Sequence, residues 1–463
     1  MTCTPRLWAP RQSVVAATSV CVFPAPIVDA NTLLSLQPES LSFFWESQNL
    51  CITGFGVAVP VSGYGQQRFA QVAKNSSQLW AALRVVKQPD VPSALGPVIV
   101  GGAAFSPGSA RISRPQARGK SGLTYSPMAA LGDAFFVLPE TGYITDGRHA
   151  AVWAVTNGPR LDEKVDLNWL QTLLSRQDHG STLRQMGYWQ PEERVAVFDS
   201  PGDIHVWEKA VHAVLDAISA GSIDKVVLAR SCTVRLPLSM SPTNLALALG
   251  PPSEGETRFL FRPCPGMSIV GKSPERLVSL NDRNVHTEAV AGTRPSAEPA
   301  ENLLSSQKDR YEHQLVVSGL TASLRPLCDS IDVQNESSIR KTGPVQHLTT
   351  AVWGTTSARC HVLNLVDVLH PSPALCGTPR DAALSWIDHL EPQPRGWYGG
   401  PIGWMDADGN GDFSVMIRSA FLEAGQARLY AGAGIVAGSV PTAEYAETET
   451  KFALMRGVLC REV

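Results

Sequence analysis

The chain lacks paired cysteines, long apolar runs, internal repeats and an excess of charge of either sign. Its nine cysteines are scattered singly, with no C-x-x-C spacing. That argues against a zinc site or a disulfide framework and predicts small buried thiols in a reducing compartment. No stretch reaches the ~18–20 apolar residues of a membrane span. With 39 Lys and Arg against 42 Asp and Glu, the formal charge is −3. Neither nucleic acid nor an anionic membrane is therefore an expected partner. Arg6 and Arg11 precede an apolar stretch over residues 14–28, as in a signal peptide. Pro24 and Pro26 interrupt it and no clear small-residue cleavage site follows, so residues 13–23 read as a strand. A soluble, cytoplasmic protein is the expectation.

A length of 463 residues supports a large core. Residues 1–195 mix short apolar runs with turn residues and read as sheet-rich, with strands over 50–59 and 97–102. Residues 66–83 read as an amphipathic helix, and 105–120 and 176–193 as loops. The region 196–463 reads as the catalytic part. It has a helix over 207–220 stopped by Gly221, a buried strand over 225–230 and a long helix over 300–327. Strands follow over 397–404 and 413–422, joined by residues 406–412. That joint imitates a calcium loop, but Ile417 stands where the twelfth-position Glu belongs, so a Gly409-Asn410-Gly411 hairpin turn is expected. Residues 432–438 imitate a dinucleotide fingerprint with the last glycine one residue late. A glycine-rich strand end whose bare amides approach an anion is the better account.

Two carboxylate pairs carry the chemistry. Asp309 and Glu312 lie in Lys308-Asp309-Arg310-Tyr311-Glu312-His313, and Glu444 and Glu447 in Glu444-Tyr445-Ala446-Glu447-Thr448-Glu449-Thr450-Lys451. Spacing i, i+3 puts each pair on one helix face. Two such faces turned toward each other repel unless a cation sits between them, and Mg²⁺ favours such oxygen ligands. Arg418, in an apolar strand, needs a carboxylate or phosphate partner. Lys451 shares a helix face with Glu447 and can pair with it or with a substrate carboxylate. Tyr398 offers a hydroxyl, and Thr293 and Gly292 a hydroxyl and an amide. The assembled site suits a small molecule with two carboxylates. Lys225 opens an apolar strand. To act as a base it must fall from ~10.4 to near neutrality, about 4 kcal/mol, which burial away from the acidic pairs would supply. Glu275 follows Pro274 and must be raised above ~4.3 to serve as an acid.

This pattern resembles the chorismate-utilising enzyme family, and within it the isochorismate-forming members. The match runs from about residue 203 to 457 in ten segments, among them Ser273-Pro274-Glu275-Arg276-Leu277, Ala291-Gly292-Thr293-Arg294 and Gln346-His347-Leu348-Thr349. The resemblance implies an α+β fold like that of anthranilate synthase component I: two packed antiparallel sheets, helices outside, and the site in a cleft between. It implies Glu312 and Glu447 as direct Mg²⁺ ligands, with Asp309 and Glu444 holding metal-bound waters. Tyr398, Arg418, the amides of Gly432 and Gly434, and Lys451 resemble the carboxylate-binding set, and His347 a histidine lining the ring pocket. Lys225 resembles the base that activates water and Glu275 the acid that protonates the departing C4 hydroxyl.

Three positions place the chain within the family. Lys225 stands where ammonia-using anthranilate synthases carry Gln, and Ala291 where aminodeoxychorismate synthases carry a nucleophilic Lys. Ala374 stands where salicylate synthases tend to have Thr. Ser296-Ala297 departs from the family, where a glycine often follows. The implied activity is Mg²⁺-dependent conversion of chorismate to isochorismate without a glutaminase subunit, and the lack of a long apolar surface helix favours a monomer. Salicylate synthesis, which adds pyruvate elimination, is the alternative.

Overall fold

A computed structural model describes residues 18–37, 40–108, 131–157, 197–199, 204–236 and 240–460. Two large sheets dominate it, one of 13 strands and one of 10. Among the described residues the strand pairs are antiparallel except Thr18–Ala25 with Arg84–Lys87. The sheets pack through aromatic side chains. Phe261 of the larger sheet stacks on Phe135 of the smaller at 6.4 Å and lies 6.2 Å from Trp397. A second apolar layer on the larger sheet's outer face holds Leu33, Leu245, Phe452 and Leu459, where helices Ala30–Ser35, Pro242–Ala248 and Pro441–Cys460 cover it.

Strands from before and after residue 196 interleave. Ser42–Ser47 pairs with Thr257–Cys264, and Ile99–Ala103 pairs with Pro401–Met405. The expected elements are present with altered bounds. The run over 50–59 divides at Gly56, whose φ of +71° suits glycine, into Leu50–Phe55 of one sheet and Val59–Gly63 of the other. The helix expected over 300–327 breaks at Ser306, whose hydroxyl accepts the Asp309 amide and caps a new helix, Gln307–Leu324. The strand expected over 397–404 begins only at Pro401, after a turn. The strand expected over 413–422 is two strands, Gly411–Val415 and Ser419–Glu423, in different sheets. Between Met405 and Gly411 the Asp406 carboxylate accepts the amides of Asp408 and Asn410, so turn formation consumes it. The loop expected over 105–120 is described only to Gly108, and that over 176–193 lies outside the described residues.

The seven described cysteines outside the C-terminal helix are free, and no helix is long and apolar enough to cross a membrane among the described residues. Buried Arg395 ties the site's surroundings together. It pairs with Glu391 and donates to the carbonyls of Leu375 and Val227, each at 2.7 Å. Removing it strands a buried carboxylate. Arg395→Met should therefore lose about 3–5 kcal/mol of unfolding free energy, read from urea titration.

Candidate active site

The site forms where the chain twice changes sheets. Met267–Ser273 lies in the 13-stranded sheet and Arg276–Asn281 in the 10-stranded one, so Pro274 and Glu275 are the crossing. Met416 to Arg418 make a second crossing beside it, between Gly411–Val415 and Ser419–Glu423. Backbone bonds stitch the two together: Val415 N–H donates to Glu275 O at 3.1 Å, and Lys272 N–H to Arg418 O at 3.2 Å. Arg418 is thus not inside a strand. It sits at φ +50°, a left-handed conformation costly for a residue with a side chain and concentrated at functional sites.

Both crossings line a cleft of about 660 Å³, part of it open to solvent. Gly292, Thr293, His347, Tyr398, Gly432, Gly434, Lys451, Glu275 and Glu312 line it with Arg418. Lys225, Asp309, Glu444 and Glu447 lie outside this lining. Arg418 is buried, and burial brings its guanidinium down to about 10. It forms no ion pair among the described residues; its bonds go to Lys451 O at 3.3 Å and His347 Nε2 at 3.5 Å. Burial, then Arg418 and Lys451, push His347 well below its ordinary value, so the ring is neutral. With Nε2 accepting from Arg418, Nδ1–H donates to Thr293 Oγ1 at 3.0 Å. Tyr398 stacks on Tyr430 at 4.7 Å, and burial raises its hydroxyl to about 12.

Gly432 and Gly434 present bare backbone to the same space. Val227 and Ala229, which oppose Gly434 and Gly432, send their amides away, to Cys376 O and Glu391 Oε1. Antiparallel alternation therefore turns the Gly432 and Gly434 amides to the other side, where Lys451 Nζ reaches Gly432 O at 2.8 Å. The neighbouring strand Ser419–Glu423 pairs only as far as Leu429, leaving that side open.

Glu275 is buried, and burial outweighs the pull of Lys225 and Lys451, raising its carboxyl to about 7. Lys225 differs from expectation. It is fully buried, but its Nζ lies 2.9 Å from Glu312 Oε1 rather than away from the acidic pairs. Strand Lys225–Arg235 aims it at the helix Gln307–Leu324, and Gly434 leaves room for the contact. Burial would raise Glu312, but Lys225, Lys308 and Lys451 outweigh it and hold the carboxyl below its usual range.

Each of the four acidic residues has its own cation. Asp309 faces Arg294 Nε at 3.0 Å, Glu444 faces Lys308 Nζ at 2.6 Å, and Glu447 faces Lys451 Nζ at 2.6 Å. No three acidic, cysteine or imidazole groups form a ready-made metal site among the described residues. The donor set nonetheless fits a hard cation. The two helices meet at the Lys308–Glu444 contact, and buried Glu444 Oε1 lacks an aligned hydrogen bond. Burial would lower Lys308, but Glu444, Glu312 and Glu447 together keep it charged. The Lys308 ammonium thus sits on Glu444 and is held charged by Glu312 and Glu447 as well.

Comparison with known proteins decides the family. The model for the chorismate binding enzymes matches residues 11–460. The chain belongs to the chorismate-binding enzyme family. It is 33% identical over 426 residues to the salicylate biosynthesis isochorismate synthase of Pseudomonas aeruginosa, covering 90% of this chain and 84% of that protein. A solved structure described as a 2,3-dihydroxybenzoate-specific isochorismate synthase from Bacillus anthracis is 27% identical, with TM-score 0.69 over 93% of this chain and 99% of that one. Anthranilate synthase component I from Streptococcus pneumoniae, 19% identical, shares the fold at TM-score 0.64 over 89% of this chain and 93% of that one. The expected fold is thereby shown.

In this chorismate-binding enzyme the sequence reading missed Tyr430 and the cations Lys308 and Arg294. Tyr430 was findable, since 430, 432 and 434 alternate along one strand face. Lys308 was findable too, four residues before Glu312 on one helix, whereas Arg294 carried no such signal because only the fold brings it to Asp309. A Cβ at Gly434 would lie 2.1 Å from Glu312 Oε1 and 2.9 Å from Lys225 Cε. Gly434→Ala should therefore cut turnover about 100-fold by displacing both side chains, measured by steady-state kinetics on chorismate.

Proposed function

We propose that this chain isomerises chorismate to isochorismate with Mg²⁺, as a cytoplasmic monomer without a glutaminase subunit. One observation carries the reading: a buried carboxyl raised to about 7, Glu275, shares a cleft with Arg418, a buried cation with no carboxylate partner among the described residues. That combination suits an anionic substrate whose hydroxyl must leave as water. The named isochorismate synthases among the relatives support the same activity.

Arg418, Tyr398, Lys451 and the Gly432 and Gly434 amides bind the substrate's carboxylates, and His347 with Thr293 lines the ring. Lys225 takes a proton from water as its oxygen bonds to C2. The ring double bonds shift, the C4–O bond breaks, and Glu275 protonates the departing hydroxyl, releasing water. One water enters and one leaves, so substrate and product are isomers. Glu312 and Glu447 would hold Mg²⁺, with Asp309 and Glu444 on its waters, and the ion would supply positive charge opposite the ring carboxylate. Lys225 Nζ rests against Glu312 Oε1 at 2.9 Å, so it must leave that carboxylate to reach the water.

Incubation with chorismate should give isochorismate, without the salicylate fluorescence or pyruvate of a lyase; accumulation of both would establish the salicylate synthase instead. Glu275 must be protonated to act, so the forward rate should fall as pH rises through about 7. Glu275→Gln should remove that limb and lower kcat about 10²–10⁴-fold. An unchanged rate would remove the acid assignment.

Glu447→Gln should raise the Mg²⁺ concentration needed for half-maximal rate about 10–100-fold, with binding of the metal followed separately by calorimetry. Indifference to metal concentration would contradict the role.

A further inference from the structure

Glu275 stands beside a row of charged side chains to which the sequence assigned no role. Thr350 meets His313 of the Gln307–Leu324 helix at 2.7 Å, so it faces that helix. Its neighbour Ala351, and Glu288 paired with it, face the other way. His286 shares that face, and Arg340 joins from the adjoining strand Ser338–Thr342, opposite His347. Arg340 Nη1 donates to Glu288 Oε2 at 2.6 Å and to Pro274 O at 3.4 Å. Glu288 Oε1 lies 3.8 Å from His286 Nε2, and His286 Nδ1 lies 3.2 Å from Arg276 Nη1. Arg276 in turn pairs with Asp412 at 3.2 Å.

This row grips the crossing on both sides of Glu275. Arg340 holds the carbonyl before it, and Asp412 holds the side chain after it. The Glu275 amide donates to Ser273 Oγ at 3.3 Å, and its carbonyl accepts from Val415. Only the carboxyl is left to enter the cleft. We propose that Arg340, clamped by Glu288, is a positioning residue for Glu275: by holding the Pro274 carbonyl it sets the direction in which the acid meets the substrate. The proposal rests on the isomerase reading above.

The groups facing Glu275 are Lys225, Lys451, Ser372, Tyr398, Arg418 and Glu288. Glu288 is the carboxylate among them, and its charge favours the protonated form of Glu275. Removing that charge moves the alkaline limb of the rate profile toward lower pH.

The test is a set of double-mutant cycles. Glu288→Gln, Arg340→Met and Arg340→Lys are each made alone and in the Glu275→Gln background, with isochorismate formation as readout. Alone, Glu288→Gln and Arg340→Met should lower kcat about 10–100-fold with KM within about twofold. Arg340→Lys, which keeps a donor, should recover part of the loss, and it carries the test if Arg340→Met does not fold. In the Glu275→Gln background the same changes should leave the residual rate unaltered. In Glu288→Gln the alkaline limb should move to lower pH. Equal losses in both backgrounds, or a raised KM with unaltered kcat, would overturn the proposal and leave the acid role of Glu275 standing. A wild-type rate in Glu275→Gln alone would overturn both.

Discussion

Two neighbouring strands leave one sheet for the other at the same level, and the site depends on that constraint. The crossing at Pro274 and Glu275 and the crossing at Met416 to Arg418 bond to each other through the backbone. Within a strand, side chains alternate between two faces. At a crossing that alternation lapses, and a side chain can point into the gap between the sheets. One crossing delivers a carboxyl there and the other a guanidinium. The left-handed conformation of Arg418 is the local cost of that placement.

The electrostatics divide the cleft into two parts. On the acidic side, each carboxylate of Asp309, Glu312, Glu444 and Glu447 already has a basic partner, so the protein is neutralised without a ligand. On the other side, Glu275 and Arg418 are buried and form no ion pair among the described residues. An unpaired buried charge is expensive. For Glu275 burial favours the protonated carboxyl, and Arg418 bonds only neutral groups, Lys451 O and His347 Nε2. The same burial thus acts on both groups, raising the carboxyl and lowering the guanidinium.

Much of this was legible from residue spacing. The i, i+3 carboxylate pairs marked helix faces because helical geometry is local. The isolated Arg418 stood out because a guanidinium in an apolar run needs a polar partner, and it lines the cleft. The resemblance across ten segments brought the fold and the family. Three features were illegible for physical reasons. Ser306 divides a helical pattern whose periodicity runs on through it, since a cap changes the backbone without changing the apolar spacing. The break before Ser419 leaves the apolar run intact, because residues buried in either sheet look alike. The Lys225–Glu312 pair joins positions 87 residues apart in the chain, and only the tertiary structure puts the amine beside that carboxylate.

The interleaving of early and late strands has a consequence for how the molecule is made. Ser42–Ser47 has Thr257–Cys264 as a neighbour, and Lys225–Arg235 has Gln426–Ile435. Such pairings must wait for distant sequence, so assembly is governed by non-local contacts and is slow relative to helical proteins of similar size. During synthesis the first strands emerge with their edges uncovered, and the last helix, carrying Glu447 and Lys451, emerges at the end. A nascent chain therefore carries uncovered strand edges well before the residues of its cleft are all present.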